Sequence, residues 1–277
     1  MPSVTLYAKA FLTRFLPDWL FTRLAERHYV RIVRSFFAPE AALFARLVDR
    51  GDHVVDLGAN VGWYTRILAE AVGSTGRVYS VEPIPRTFRF LEYSVRTLGL
   101  SHVTLFNCAA SNREGTAIMQ VPREAGGENF YQASIVSPEH ADRHLRRIEV
   151  RLAPLDTLLA NVVAPITFIK CDVEGHERDA LLGARGTITR SQPAMFVELS
   201  ADPDQPGSAA CDLVRWLERQ GYGTYWLRGT ELVRRLLGES SVNYFFLGEA
   251  HVERLLRLGI PVERRRTRPA RRGAEAT

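Results

Sequence analysis

Residues 53–62 read His-Val-Val-Asp-Leu-Gly-Ala-Asn-Val-Gly, and this stretch decides the fold. His53–Leu57 is a short apolar run of strand character, and Trp63, Ile67, Leu68 and Ala71 follow at the spacing of one helix face, stopped by Gly73. A strand that feeds a helix through Asp56-Leu57-Gly58-Ala59-Asn60-Val61-Gly62 is the opening unit of a parallel α/β sheet. Gly58 and Gly62 let the backbone turn tightly and approach a ligand, and open α/β sheets bind ligands at the carboxyl ends of their strands. A dinucleotide fingerprint would read G-x-G-x-x-G; here the spacing differs and the leading position is Asp56, which disfavours a pyrophosphate.

The same rhythm continues outward. Arg77–Val81 is a second strand, Phe88, Leu91, Val95 and Leu98 share a helical face ended by Gly99, and Val103–Cys108 is a third strand. Residues 111–154 interrupt the alternation and read as an insertion with two strands, Ala117–Val121 and Ile148–Leu152, a natural place for acceptor recognition. The alternation resumes with a strand at Ile166–Cys171, a helix from about His176 to Ala184 and a strand at Ala194–Leu199. Ser208 caps a further helix, and Tyr222–Leu227 and Val242–Leu247 close the sheet, with Thr230–Leu237 as the only room for a short helix between them. Ahead of the first strand, residues 1–50 form a helical extension. The expected organisation is this extension, a doubly wound domain over 51–250, and an Arg-rich tail over 251–277 that is expected to be disordered.

Composition narrows the function classes. The chain has 277 residues, 46% hydrophobic and 24% charged, enough to bury a core without disulfides. Three widely spaced cysteines, Cys108, Cys171 and Cys211, suggest neither a disulfide framework nor a zinc site, and a reducing cytoplasm fits them. The net charge of +5 is carried by residues 251–277, with eight arginines and three glutamates. A neutral body with a basic end lacks the basic face of a nucleic-acid binder, so no specific nucleic-acid partner is expected; the tail is a candidate for weak contact with an anionic surface. Lys9, Arg14, Asp18 and Arg23 break up the apolar N-terminus, so no membrane span is expected there.

Two further positions carry chemistry. Glu82, in Val81-Glu82-Pro83 at the end of the second strand, is placed to accept both hydroxyls of a ribose. Asp172, Glu174, His176 and Glu198 lie at the ends of later strands, on the same side of the sheet as Gly58, and are the candidates for taking a proton from a nucleophile. Glu177 reads as a helix-start carboxylate and Cys171 as a small buried hydrophobe.

Together these residues resemble the FkbM family of S-adenosylmethionine-dependent methyltransferases. The D-x-G-x-N-x-G turn, the E-P after strand two, Leu155-Asp156-Thr157-Leu158, and Ile169-Lys170-Cys171-Asp172-Val173-Glu174-Gly175-His176-Glu177 carry the resemblance, the last against the family pattern I-D-x-E-G-x-E. It implies a class I methyltransferase fold, α/β and Rossmann-like, with a mostly parallel seven-stranded sheet whose last strand is antiparallel. It also implies S-adenosyl-L-methionine as cofactor, held by Asp56, Gly58, Asn60, Gly62, Glu82, Asn107, Ala109 and Asp172. Asp172, Glu174 and His176 would border the methyl group and its acceptor. No metal site is assigned. The expected reaction is O-methylation of a glycan or a glycosylated natural product. The rival expectations are a lipid or nucleic-acid acceptor, or a Rossmann-like module that binds a nucleotide without turnover.

Overall fold

A computed structural model describes residues 18–36, 38–124, 127–137 and 142–263. Two helices lead in, α1 (Asp18–Ser35) and α2 (Ala41–Leu47). The doubly wound unit then runs β1 (His53–Leu57), α3 (Trp63–Val72), β2 (Arg77–Val81), α4 (Pro85–Thr97) and β3 (Val103–Phe106). After the insertion come α5 (Leu155–Leu158), β10 (Ile166–Cys171), α6 (Glu177–Leu182), α7 (Arg185–Ser191), β11 (Ala194–Glu198) and α8 (Ala209–Arg219). The chain closes with β12 (Gly223–Arg228), β13 (Glu231–Arg234), β14 (Asn243–Leu247), α9 (Glu249–Arg257) and β15 (Val262–Glu263).

The main sheet has the order β15-β13-β12-β14-β11-β10-β1-β2-β3. Strands β3, β2, β1, β10 and β11 are parallel, and β14 runs antiparallel between β11 and β12. Seven strands with an antiparallel last one are therefore present, but two more extend the edge. Thr230–Leu237 supplies strand β13 where the sequence suggested a short helix. Gly229, at φ +64°, lets the chain reverse after β12, and the β13 side chains Leu232 and Val233 are buried.

Alternation along each strand sends side chains to both faces, as a sheet covered on two sides requires. Val54, Val78, Phe168, Phe196 and Phe245 pack against α2, α3 and α9. Val55, Val81, Ile169, Val197 and Phe246 pack against α6, α7 and α8. Residues 109–153 build a separate small sheet, ordered β4-β9-β5-β8, from β4 (Ala109–Ala110), β5 (Gly115–Val121), β8 (Ser134–Val136) and β9 (Arg146–Ala153). Within the same segment β6 (Arg123–Glu124) pairs with β7 (Gly127–Glu128). The small sheet has its own core, around Met119, Val121, Val150 and Leu152, which also holds Ile84 at the start of α4.

The ordered unit does not end at residue 250. Val252 and Leu255 of α9 are buried, Arg254 makes a two-pronged bond to the Asp49 carboxylate at 2.7 and 2.8 Å, and β15 pairs with β13. The expected disordered tail is thus structured as far as Glu263, because its first part carries an amphipathic stripe that the sheet needs as cover. The Arg-rich run Arg264 to Arg272 lies outside the described residues. No helix among the described residues is long and apolar enough to cross a membrane.

Candidate active site

The turn from β1 into α3, the carboxyl ends of β2, β10 and β11, and the small sheet above them enclose a cleft of about 290 Å³. Gly58 sits in the turn at φ +76°, and any Cβ there would overlap the carbonyl oxygen of Asp172. Glycine is thus required twice, by conformation and by the approach of the β10 terminus. The turn is fastened to β2 by Gly58 and Ala59 N–H groups donating to Val81 O at 3.0 and 2.9 Å. Asn60 lies in the left-handed region at φ +51°, and its buried Oδ1 has no hydrogen-bond partner among the described residues.

Glu82 lies one residue beyond β2 and is buried in the cleft wall. Its Oε2 accepts the Asn60 N–H at 3.0 Å and its Oε1 accepts the Ile84 N–H at 2.9 Å. Burial pushes its carboxyl up to about 7, although both backbone bonds favour the charged form. Each oxygen keeps a lone pair beyond the bond it already makes.

Of the residues singled out in the sequence, Gly58, Asn60, Glu82, Ala109, Asp172, Glu174, His176 and Glu198 line the cleft. Asp56, Gly62 and Asn107 stand behind it. Asn107 donates from Nδ2 to the carbonyls of Glu82 and Pro83 at 2.8 and 3.1 Å, so it holds the backbone that carries the acid. Gly62, at φ +103°, starts α3 against Leu91. Asp56 is fully buried, accepts the Thr65 hydroxyl at 2.6 Å, and faces the Lys170 ammonium at 3.5 Å.

Lys170 is a cleft position that the sequence reading passed over. It is 1% exposed, and its Nζ donates to Gly58 O at 2.8 Å and Leu57 O at 3.3 Å. It also lies 3.4 Å from Asp172 and 5.2 Å from the Tyr64 ring centroid. Burial alone would weaken its hold on a proton; Asp172 and Asp56 outweigh this and keep it charged, above the ordinary lysine range. The signal was a lone charge in the apolar strand Ile166–Cys171, beside Asp56 in the β1–β10 register.

Beyond Lys170 the cleft is acidic. Burial, with Asp172 close by, pushes both Glu174 and Glu198 up to about 7. Glu174 stands on the loop after β10 at φ +51°. That loop is clamped by Glu177, which is buried and whose Oε1 accepts Gly175 N–H at 2.8 Å and Val173 N–H at 3.4 Å. His176 Nε2 pairs with the Ser111 hydroxyl at 3.0 Å, and burial lowers its basicity. No group of three or more potential metal-ligating side chains converges among the described residues. Aromatic rings also line the cleft: Phe36 stacks on Trp63 at 5.1 Å, and Trp63 on Tyr131 at 5.5 Å.

The FkbM methyltransferase domain matches residues 56–223, more than half of the chain. The chain belongs to this family. Among curated relatives, a protein-L-isoaspartate O-methyltransferase of Ignicoccus hospitalis is 36% identical over 56 residues, 20% of this chain and 26% of the relative. A ribosomal RNA large subunit methyltransferase E of Anaeromyxobacter dehalogenans is 39% identical over 69 residues, 25% of this chain and 26% of the relative. Both matches span about a quarter of the relatives' length. Among solved structures, the FkbM methyltransferase of Methylobacillus flagellatus KT is 18% identical, with a TM-score of 0.45, covering 74% of this chain and 48% of that one.

S-adenosylmethionine is the cofactor of FkbM methyltransferases. The residues present fit it on three counts. Asn60 Oδ1 is a buried acceptor with no partner among the described residues, and Glu82 has free lone pairs for hydroxyl donors. The excess of carboxylates suits a cation.

Proposed function

We propose that this FkbM-family protein transfers a methyl group from S-adenosylmethionine to a hydroxyl of a glycan or glycosylated small molecule in the cytoplasm. The observation that carries the acceptor class is the charge of the cleft. Glu82, Asp172, Glu174 and Glu198 face one ammonium, Lys170. A phosphodiester backbone entering there would meet net negative charge, whereas a neutral polyol would not. Phe36, Trp63 and Tyr131 give the cleft an apolar aromatic lining suited to the C–H groups of a sugar ring. Residues 264–277 carry the net +5 and are proposed to contact an anionic surface.

In this mechanism Glu82 would hold the ribose hydroxyls, Gly58 and Asn60 would hold the methionine end, and Ala109 would line the adenine side. The cofactor supplies a methyl group on a cationic sulfur. The protein's part would be to align the acceptor oxygen, and a carboxylate within about 3 Å would take the hydroxyl proton late in the reaction. Asp172 is committed to Lys170 and positions the acceptor, while Glu174 and His176 border it.

Incubation with methyl-labelled donor and extract of the host, followed by mass identification of the labelled product, tests this reading. Label in a glycan or glycoside is expected. Label confined to RNA or lipid would replace the acceptor class. Tight donor binding with no labelled product would make the protein a non-catalytic module.

A further inference from the structure

The proton's destination can be narrowed further, and this step rests on the methyl-transfer reading above. Most polar groups at the strand ends are already engaged. Asp172 is paired with Lys170, Glu82 accepts two backbone N–H groups, Glu177 clamps the loop of residues 173–175, and His176 is tied to Ser111. Glu198 lines the same cleft and has no hydrogen-bond or ion-pair partner among the described residues.

Its place in the sheet separates it from Glu174. The pairing Lys170↔Phe196 and Cys171↔Val197 brings Glu198 level with Asp172, one strand further from Glu82. From β2 to β11 are three strand spacings, about 14 Å, so the ribose acid and Glu198 stand at opposite ends of the cleft. Glu198 closes a central strand, whereas Glu174 stands on a loop; groups on strands are held more precisely. Across the β11–β14 pair Glu198 faces Asn243, whose Nδ2 donates to Glu40 at 3.3 Å, so the strand end beyond Glu198 is polar too. Along β14, Tyr244, Phe245 and Phe246 are core, and Asn243 pairs with Glu198 at the strand end.

We propose that Glu198 is the general base of the cleft and takes the proton of the acceptor hydroxyl as the oxygen–methyl bond forms. The hydroxyl oxygen gives its electron pair to the methyl carbon, the pair of the broken carbon–sulfur bond stays on sulfur, and the proton ends on a Glu198 carboxylate oxygen. The charged groups acting on Glu198 are Asp172 and Lys170 of the β10 end, Glu177 of α6 and Glu40 before α2, with Glu174 on the neighbouring loop. Apart from Lys170 they are acidic and favour uptake of a proton. Its carboxyl, at about 7, is matched to work near neutral pH.

The test compares Glu198→Gln, Glu198→Asp and Glu174→Gln, using labelled donor and the host-extract fraction that the unaltered protein labels. Affinity for S-adenosylhomocysteine is measured alongside by calorimetry. At saturating donor, the unaltered protein should gain kcat as pH rises through about 7. Glu198→Gln should lower kcat by about 10²–10⁴-fold and abolish that rise, with product-cofactor affinity within twofold. Glu198→Asp should recover part of the rate and the pH dependence, which a merely structural role would not do. Glu174→Gln should keep the rise. The assignment is overturned if Glu174→Gln abolishes the rise and Glu198→Gln keeps it, if both keep it, or if Glu198→Gln loses cofactor affinity in parallel with rate. No label with the unaltered protein would instead overturn the methyl-transfer reading itself.

Discussion

Two residues at the cleft show how burial and chemistry are linked. Glu82 has its carboxyl raised by burial from 4.5 to about 7, so ionisation is harder in the folded chain than in the unfolded one. A raised acid favours the fold fully below its unfolded value, and that contribution is lost as pH climbs through the folded value. The cofactor-free protein should therefore lose on the order of 3 kcal/mol from this group between pH 4.5 and 8. Thermal melts of Glu82→Gln should show a flatter pH dependence than the unaltered protein; equal slopes would remove Glu82 from the cause. Ribose hydroxyls donate best to the ionised acid, so Glu82→Gln should weaken donor binding by about 10–150-fold, equivalent to roughly 1.5–3 kcal/mol. Calorimetry at pH 8 reads this directly, and an unchanged Kd would remove the ribose role. Lys170 is the second case. Replacing it by Met leaves Asp56 buried beside an uncompensated Asp172, a change that costs about 3–5 kcal/mol. Adding Asp56→Asn should restore a good part of that loss in denaturant unfolding.

At the scale of elements, the alternation of strands and helices was legible because apolar period and glycine stops agree from His53 onward. The turn at Gly58 and the acid at Glu82 were legible for the same reason, as each follows directly on a strand. What escaped the sequence depended on contacts between distant segments. Nothing in Phe36, Trp63 and Tyr131 separately announces a stack, since it forms only when the insertion folds over α3. Asn107 stood in the last residues of the third strand, where a ligand residue would, yet its amide serves the Glu82 and Pro83 carbonyls. Thr230–Leu237 was ambiguous because a short apolar run fits either period, and pairing with β12 decided it. Asp156, part of the L-D-x-L element, is structural: its carboxylate accepts Gly186 N–H at 2.7 Å, Thr187 N–H at 2.8 Å and the Thr187 hydroxyl at 2.7 Å, holding the start of α7. Asp156→Ala should lower stability by roughly 1–3 kcal/mol while leaving donor affinity intact. A large loss of affinity without loss of stability would reverse that reading.

At the scale of the molecule, the excess charge and the C-terminal cover are separable. Residues 251–263 hold Arg254 and Arg257 against Glu253 and Glu263, so they are neutral, and the entire net +5 sits in residues 264–277. The neutral part covers the sheet. Val252 and Leu255 are buried, each worth about 1.5–3 kcal/mol. The Arg254–Asp49 pair is partly exposed and adds at most about 1 kcal/mol. A chain ending at Ala250 should therefore be destabilised by about 3–6 kcal/mol and lose labelling activity through loss of fold. One ending at Glu263 should unfold within about 0.5 kcal/mol of the full chain and keep its labelling activity, while losing affinity for vesicles of anionic lipid. Vesicle sedimentation together with the labelling assay separates the two. If the chain ending at Glu263 keeps vesicle binding, the arginines are not the contact; if it keeps its fold but loses activity, residues 264–277 reach the acceptor and belong to the site.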